Sequence, residues 1–283
     1  MSIILKINER KQDFTQSEVK LSEYILSNTN EISTISVQKL AKLSKISPAS
    51  VIRFCKKMGY NGFQDLKLDL VKDMSQRNNT EKVYEDITTH DTIGEMMQKL
   101  SYENTKVIQN TIDLMDEKEV EKAINAINKG KIIYIFGVGA SGLVAKDFQY
   151  KLMRIKKTVI SYIDSHTQLA SSANIENSDV AIGISYSGKT LEVYKAMKKA
   201  KDKGATTISI TKYGKNPLSE ISDINIGVAG NEQNIRVGAI ASRIAQLTAI
   251  DVLFVGITKN DFEIISDYIK NTRESVEEFK INK

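Results

Sequence analysis

From residue 131 onward, short β-branched runs alternate with helix-like stretches of about a dozen residues, and no other feature restricts the fold of this chain so strongly. The runs fall at residues 131–136 (KIIYIF), 158–162, 180–184 (VAIGI), 206–210 and, more weakly, 223–228. Strands separated by crossover helices pair in parallel, so the pattern predicts an α/β, doubly wound parallel sheet. In such a sheet a ligand lies at the carboxyl ends of the strands.

Two of those ends carry distinctive loops. The run 180–184 stops in Ser185, Ser187, Gly188 and Thr190, and a helical pattern through Leu191, Val193, Tyr194 and Met197 follows. The first N–H groups of a helix lack internal partners and its dipole favours negative charge there, so an anion such as phosphate can bind. Three hydroxyls add donors, and Gly188 lets the backbone approach a ligand closely. One such loop reads equally well as an ordinary βα turn whose Ser and Thr cap the helix. The other loop is Gly137-Val138-Gly139-Ala140-Ser141-Gly142, with a helix expected from about Leu143. Its glycines satisfy the dinucleotide spacing G-x-G-x-x-G, and Asp164 stands where a ribose-binding acid would be. Against that reading, a dinucleotide site needs neither Ser141 nor the hydroxyls at 185–190.

Composition places the rest. A chain of 283 residues, 41% hydrophobic and 27% charged, has room for two soluble domains. Its formal charge of +5 is concentrated: residues 1–77 hold thirteen bases against eight acids, and the remainder has 27 of each. A local basic excess points to a polyanion partner for that segment, with a solvated charged face as the alternative. The single Cys55 and the distant His90 and His166 offer neither a disulfide framework nor zinc spacing, so no metal and no cofactor are expected. The apolar start is too short for a signal peptide and no later run reads as a membrane span, which predicts a cytoplasmic protein without membrane partners.

Within residues 1–77 a first helix is expected after Phe14, with Thr15 or Ser17 as cap, and a loop at 28–34. A second spans 36–44 through Val37, Leu40, Ala41 and Leu43. A third opens with Ser47 as N-cap and Pro48 at its first position, and stops at Gly59. The short interval Lys45-Ile46 is that of a helix-turn-helix. On a helical wheel Val51, Ile52, Phe54, Cys55 and Met58 share one side, and Ser50, Arg53, Lys56 and Lys57 the other. Seven bases against one acid in residues 33–67 suit a basic face entering a major groove. Cys55 falls on the core side, as a small apolar residue.

The run ISPASVIRFCKKMGYNGFQDLK at 46–67, with SVQKLA at 36–41, resembles the helix-turn-helix of the RpiR/MurR family of bacterial transcriptional regulators. The resemblance implies that the helix with Ser47, Pro48, Ser50, Arg53 and Lys57 is the recognition helix, and that a further helix starts near Gly62-Phe63. Ser50 stands where that family more often has Thr, and keeps the hydroxyl. The loops at 137–142 and 185–190 resemble those of the sugar isomerase (SIS) domain, a flavodoxin-like fold that binds phosphosugars and that the family carries behind its DNA-binding domain. The run at 236–254 resembles the helix after the last strand of that fold. By this resemblance Ser141, Ser185, Ser187 and Thr190 hold phosphate and sugar oxygens, helped by the amides near Gly139 and Gly188. Ser242 and Arg236 are secondary positions, Lys189 could assist the phosphate, and His166 could touch a sugar hydroxyl or merely cap.

Four segments are therefore expected: an all-α helix-turn-helix domain at 1–77, a linker and connecting helix at 78–120, the α/β domain at 121–260 and a C-terminal helix at 261–283. In the connecting region a helix near 92–114 carries a Met and Ile stripe, including Ile93, Met97, Ile108 and Ile112, suited to core or dimer packing. Residues 116–119 read as a capping box. Isomerisation needs a positioned base, and Glu176, Glu192, Glu232 and His166 lie outside the two loops. The expectation is a regulator that binds double-stranded operator DNA and a phosphosugar without turnover, as a homodimer or higher homo-oligomer. A phosphosugar isomerase or lyase with an accessory helical domain is the competing class.

Overall fold

The computed structural model describes residues 3–77, 88, 90–230, 239–259 and 262–279. Residues 78–80 of the expected linker, Glu232 and Arg236 lie outside them. The chain divides into two compact units, Met1–Lys106 and Val107–Lys283.

The first unit holds α1 (Ile3–Glu9), α2 (Gln16–Ser27), α3 (Thr29–Ile32), α4 (Val37–Leu43), α5 (Pro48–Lys57) and α6 (Phe63–Arg77), and the division between units falls within α7 (Ile93–Leu114). Helix α1 extends the sequence reading: Ile3, Ile4 and Ile7 share one face and are all buried. The expected loop at 28–34 contains the short α3. Thr15 closes a full capping box with Glu18, Ser36 caps α4, and Ser47 caps α5 with Pro48 at its first position. The apolar side of α5 packs as the wheel predicts: Val51, Phe54, Cys55 and Met58 are buried, and Phe14 meets the Phe54 ring edge to face at 5.3 Å. Truncating Phe54 to Ala would cost about 3–5 kcal/mol. Burial pushes the Cys55 thiol up to about 11, which makes it inert and supports its reading as a core residue.

The second unit continues with α8 (Glu117–Lys129), β1 (Ile133–Gly137), α9 (Ala140–Met153), β2 (Val159–Ile160), α10 (Ser165–Ser171), β3 (Val180–Ile184), α11 (Leu191–Asp202), β4 (Thr206–Lys212), α12 (Pro217–Ile221), β5 (Ile224–Val228), α13 (Ile240–Thr258) and α14 (Phe262–Glu274). The five strands pair in parallel in the order β2-β1-β3-β4-β5, the doubly wound sheet that the alternation implied. Helices α8, α9 and α13 cover one face around Phe148, Leu152, Ala249 and Leu253. Helices α10, α11 and α12 cover the other around Phe136, Ala196, Met197 and Leu218. The order in which strands are added therefore reverses between β1 and β3, whose carboxyl ends lie side by side because Gly137 pairs with Ile184.

Four local expectations change. Helix α9 begins at Ala140 rather than Leu143, because Gly137 and Gly142 pack so closely that a Cβ on Gly137 would lie 2.7 Å from the Ser141 carbonyl oxygen. Asp116 caps α8, but Glu119 does not complete a capping box: its carboxylate accepts the Asn225 N–H at 3.0 Å and pairs with Lys122. The apolar face expected of α7, which also included Val107, is core only in part: Val107 is buried with Thr111 and Leu114, while Ile93, Met97, Ile108 and Ile112 are exposed. Helix α13 is long and apolar enough to cross a membrane by length and composition, contrary to the sequence reading. It lies instead on the sheet, with Ala245, Ala249, Ile250 and Leu253 buried against it.

Candidate functional site

At the carboxyl edge of the sheet, helix starts fall into two kinds. Asp164 caps α10 after β2, and Asn216 caps α12 after β4. By contrast α9, α11 and α13, which follow β1, β3 and β5, begin at Gly139, Thr190 and Ala239 without a side-chain cap. Three helix starts thus present first-turn N–H groups that no capping side chain has taken.

The expected hydroxyls gather there. Ser185 is buried, and its Oγ lies 2.9 Å from Thr190 Oγ1. Ser187 is exposed, and its Oγ accepts the Lys189 N–H at 3.2 Å. Ser141, in the first turn of α9, meets the buried Gln246 of α13 at 3.0–3.2 Å from its amide atoms. Ser242, one turn before Gln246, is buried on the same helix. Gly139 takes φ +59° and Gly188 φ +64°, backbone that side-chain-bearing residues resist.

Two residues that sequence reasoning missed hold the loops in place. A Cβ on Gly188 would lie 1.9 Å from Asn216 Oδ1, so the hydroxyl loop is seated directly on the cap of α12. Leu218 N–H donates to the Gly188 carbonyl at 3.1 Å, and Asn216 Nδ2 donates to Thr211 Oγ1 at 2.9 Å. The Asn-Pro pair at 216–217, a cap followed by proline, was the available signal. Gln168 does similar work for the other loop. Because β2 has only two residues, Gly137 has no strand partner on that side; Gln168 Oε1 accepts its N–H at 3.1 Å and Nε2 donates to its carbonyl at 2.8 Å. Nothing local in the sequence marks that role.

Asp164 is not poised for a ribose. The Thr167 backbone N–H, then the Thr167 hydroxyl, hold its carboxyl below the ordinary value, and both bonds are 2.8 Å. The glycine spacing here instead serves strand–helix packing. His166 lies exposed on α10 and Lys189 exposed in its loop. Among the described residues no carboxylate or histidine is hydrogen-bonded to the site hydroxyls, and no group of His, Cys, Asp and Glu could hold a metal ion.

The first unit presents a second candidate surface. On the exposed side of α5, Ser47 Oγ lies 2.9 Å from Ser50 Oγ, which accepts from Arg53 Nη2 at 3.1 Å. The capping hydroxyl thereby aligns a guanidinium along the helix, with Pro48 and Lys56 exposed beside it. Lys39, Lys42 and Lys45 are exposed nearby in sequence; Lys45 occupies the turn with φ +55°, a place that Gly59 fills at the end of α5. Lys57 departs from the wheel reading. Its Nζ pairs with Glu18 at 2.7 Å, donates to the Asp13 carbonyl at 2.9 Å and sits over the Phe14 ring. It ties the end of α5 to the start of α2, where its charge is already paired.

Comparison with known proteins follows the same division. The helix-turn-helix domain of the rpiR family matches residues 1–77, and the SIS domain matches residues 126–256. An HTH-type transcriptional regulator of Caldanaerobacter subterraneus subsp. tengcongensis is 41% identical, the alignment covering 99% of each chain. The HTH-type regulator YbbH of Bacillus subtilis is 37% identical over 97% of each. Among solved structures, the NanR protein of Vibrio vulnificus complexed with ManNAc-6P is 26% identical, covers 99% of both chains and superposes with a TM-score of 0.63.

Proposed function

The chain belongs to the rpiR family of helix-turn-helix transcriptional regulators with a SIS domain, and on that premise we propose that it binds operator DNA through α5 and senses a phosphosugar at the β1–β3 edge. The carrying observation is the trio of uncapped helix starts converging with Ser141, Ser185, Ser187 and Thr190. First-turn N–H groups without a side-chain cap, together with these hydroxyls, suit a phosphate and the oxygens of a sugar. NanR, bound to the phosphosugar ManNAc-6P, supports this ligand class.

DNA contact falls to Ser47, Pro48, Ser50, Arg53 and Lys56, in the cytoplasm where operators are. The effector works by linkage: it prefers one arrangement of two DNA-binding heads and shifts operator affinity by its differential affinity for the two states. Two heads require a homodimer, and the exposed Ile108 and Ile112 of α7 offer apolar surface for one. A monomer by light scattering at working concentration would remove that part.

The decisive experiment measures binding to the DNA upstream of the protein's own gene at fixed salt, with a panel of hexose, pentose and amino-sugar phosphates including ManNAc-6P. One sugar phosphate that shifts affinity, where its unphosphorylated form does not, is the expected result. Absence of specific DNA binding, or isomerised or cleaved sugar after incubation with the pure protein, would move the isomerase or lyase reading to the front.

A further inference from the structure

Helix α13 brings one charged group to this edge. Arg243 stands in its first turn, half-buried; its backbone N–H donates to the Ala239 carbonyl, and its guanidinium has no hydrogen bond or ion pair among the described residues. Its direction follows from two contacts that α13 makes with α9: Gln246 touches Ser141, and Asp251 pairs with Lys151. At about 100° per residue, Asp251 is turned roughly 140° from Gln246, and Arg243 roughly 60° in the same sense. Arg243 therefore leaves α13 between the two positions that reach α9. The same pairs show that α9 and α13 run in one direction, so Arg243, one turn before Gln246, lies level with the loop that precedes Ser141.

A cation there is electrostatically misplaced. It occupies the positive end of α13 and flanks the positive end of α9, and neither helix has an acidic residue in its first turn or a capping side chain. With no protein acceptor among the described residues, the guanidinium is open to a ligand. A phosphate between the two helix starts would reverse all of these penalties.

We propose that Arg243 is a ligand-binding residue, the counter-charge for the phosphate of the effector, and that it clamps α13 to α9 when the site fills. The proposal rests on the phosphosugar reading above and adds a residue that neither hydroxyl loop contains. Its geometry also gives the ligand a mechanical consequence, because α13 packs on α8, which follows α7 in the chain.

The test is calorimetric titration of the full chain with inorganic phosphate, and then with the sugar-phosphate panel, for the wild type, Arg243→Gln, Arg243→Lys and Ser187→Ala. Loss of one charge-assisted contact predicts a roughly tenfold to hundredfold weaker affinity in Arg243→Gln, with partial recovery in Arg243→Lys. Each variant's thermal midpoint is read beside the titration as the control for folding. If Arg243→Gln binds phosphate and sugar phosphates as the wild type does while Ser187→Ala is impaired, Arg243 is removed and the phosphosugar site stands. If the wild type itself binds none of these ligands, the site reading and the proposal fall together. A variant whose thermal midpoint falls is replaced by Arg243→Met, whose unbranched side chain keeps the packing of the stem.

Discussion

The two units finish their helices differently. In the first, Thr15, Ser36 and Ser47 cap α2, α4 and α5, the four-residue α3 starts without a side-chain cap, and the basic face of α5 lies outside a closed core. In the second, caps are present at the ends of β2 and β4 and missing at those of β1, β3 and β5. A partner as large as a DNA groove can be met by a finished surface carrying charge. A partner as small as a sugar phosphate must be met by backbone groups left open, and the pattern of missing caps marks where.

The sharpest test of that contrast is Gly188→Ala. A Cβ directed into Asn216 from a left-handed backbone should cost on the order of 3 kcal/mol, read as a lowered calorimetric midpoint for the transition that phosphosugar shifts. A midpoint close to wild type would show that the loop is not seated on α12. Next come the bases of α5. Arg53→Ala and Lys56→Ala should each weaken operator binding by about 1–3 kcal/mol and lower the salt slope by about one. Lys57→Ala should instead lower the thermal midpoint and leave the slope alone; a slope change equal to that of Lys56→Ala would restore it to the DNA face.

Smaller effects separate capped from uncapped hydroxyls. Ser47→Ala should destabilise by about 1 kcal/mol, whereas Ser187→Ala should stay within about 0.5 kcal/mol without ligand yet abolish the sugar response. Equal losses of stability would break the distinction. The least effect is expected from pH. Burial opposes ionisation of Glu18, but the hydrogen bond from Lys57 and those from Thr15 outweigh it and hold the carboxyl below its ordinary 4.5. A depressed carboxyl stabilises the fold above that value and loses its contribution as pH falls through the depressed one. Glu18→Gln should therefore flatten the acid side of the unfolding profile, and an unchanged acid limb would show that the Glu18–Lys57 pair contributes nothing.

What could be read from the sequence was what local periodicity and caps encode. The parallel sheet, the wheel of α5, the Ser47 cap and a cap for α2 at Thr15 or Ser17 all follow from residues a few positions apart. Lys57 could not be read that way, because Glu18, which claims its charge, is distant in the chain and adjacent only after α2 and α5 pack. Glu119 follows the same logic: a cap partner three residues away loses to the Asn225 N–H of β5. The start of α9 was misplaced because glycines read as loop, whereas Gly137 and Gly142 are there to let a strand and a helix touch. At the site, the hydroxyl loops were visible and their supports Gln168 and Asn216 were not. Arg243 lies within the run at 236–254, but its lack of an acid partner among the described residues is a property of the packed helices alone.

The seating of Gly188 on Asn216 has a consequence on the scale of descent. Because a side chain at 188 and the amide at 216 would claim one volume, neither position can drift freely while the other is fixed. Across an alignment of relatives the pair should change in concert: residues larger than glycine at 188 appear only where 216 has become small. The β3–α11 loop and the β4–α12 turn would then be inherited as one unit, although more than twenty positions of chain separate them.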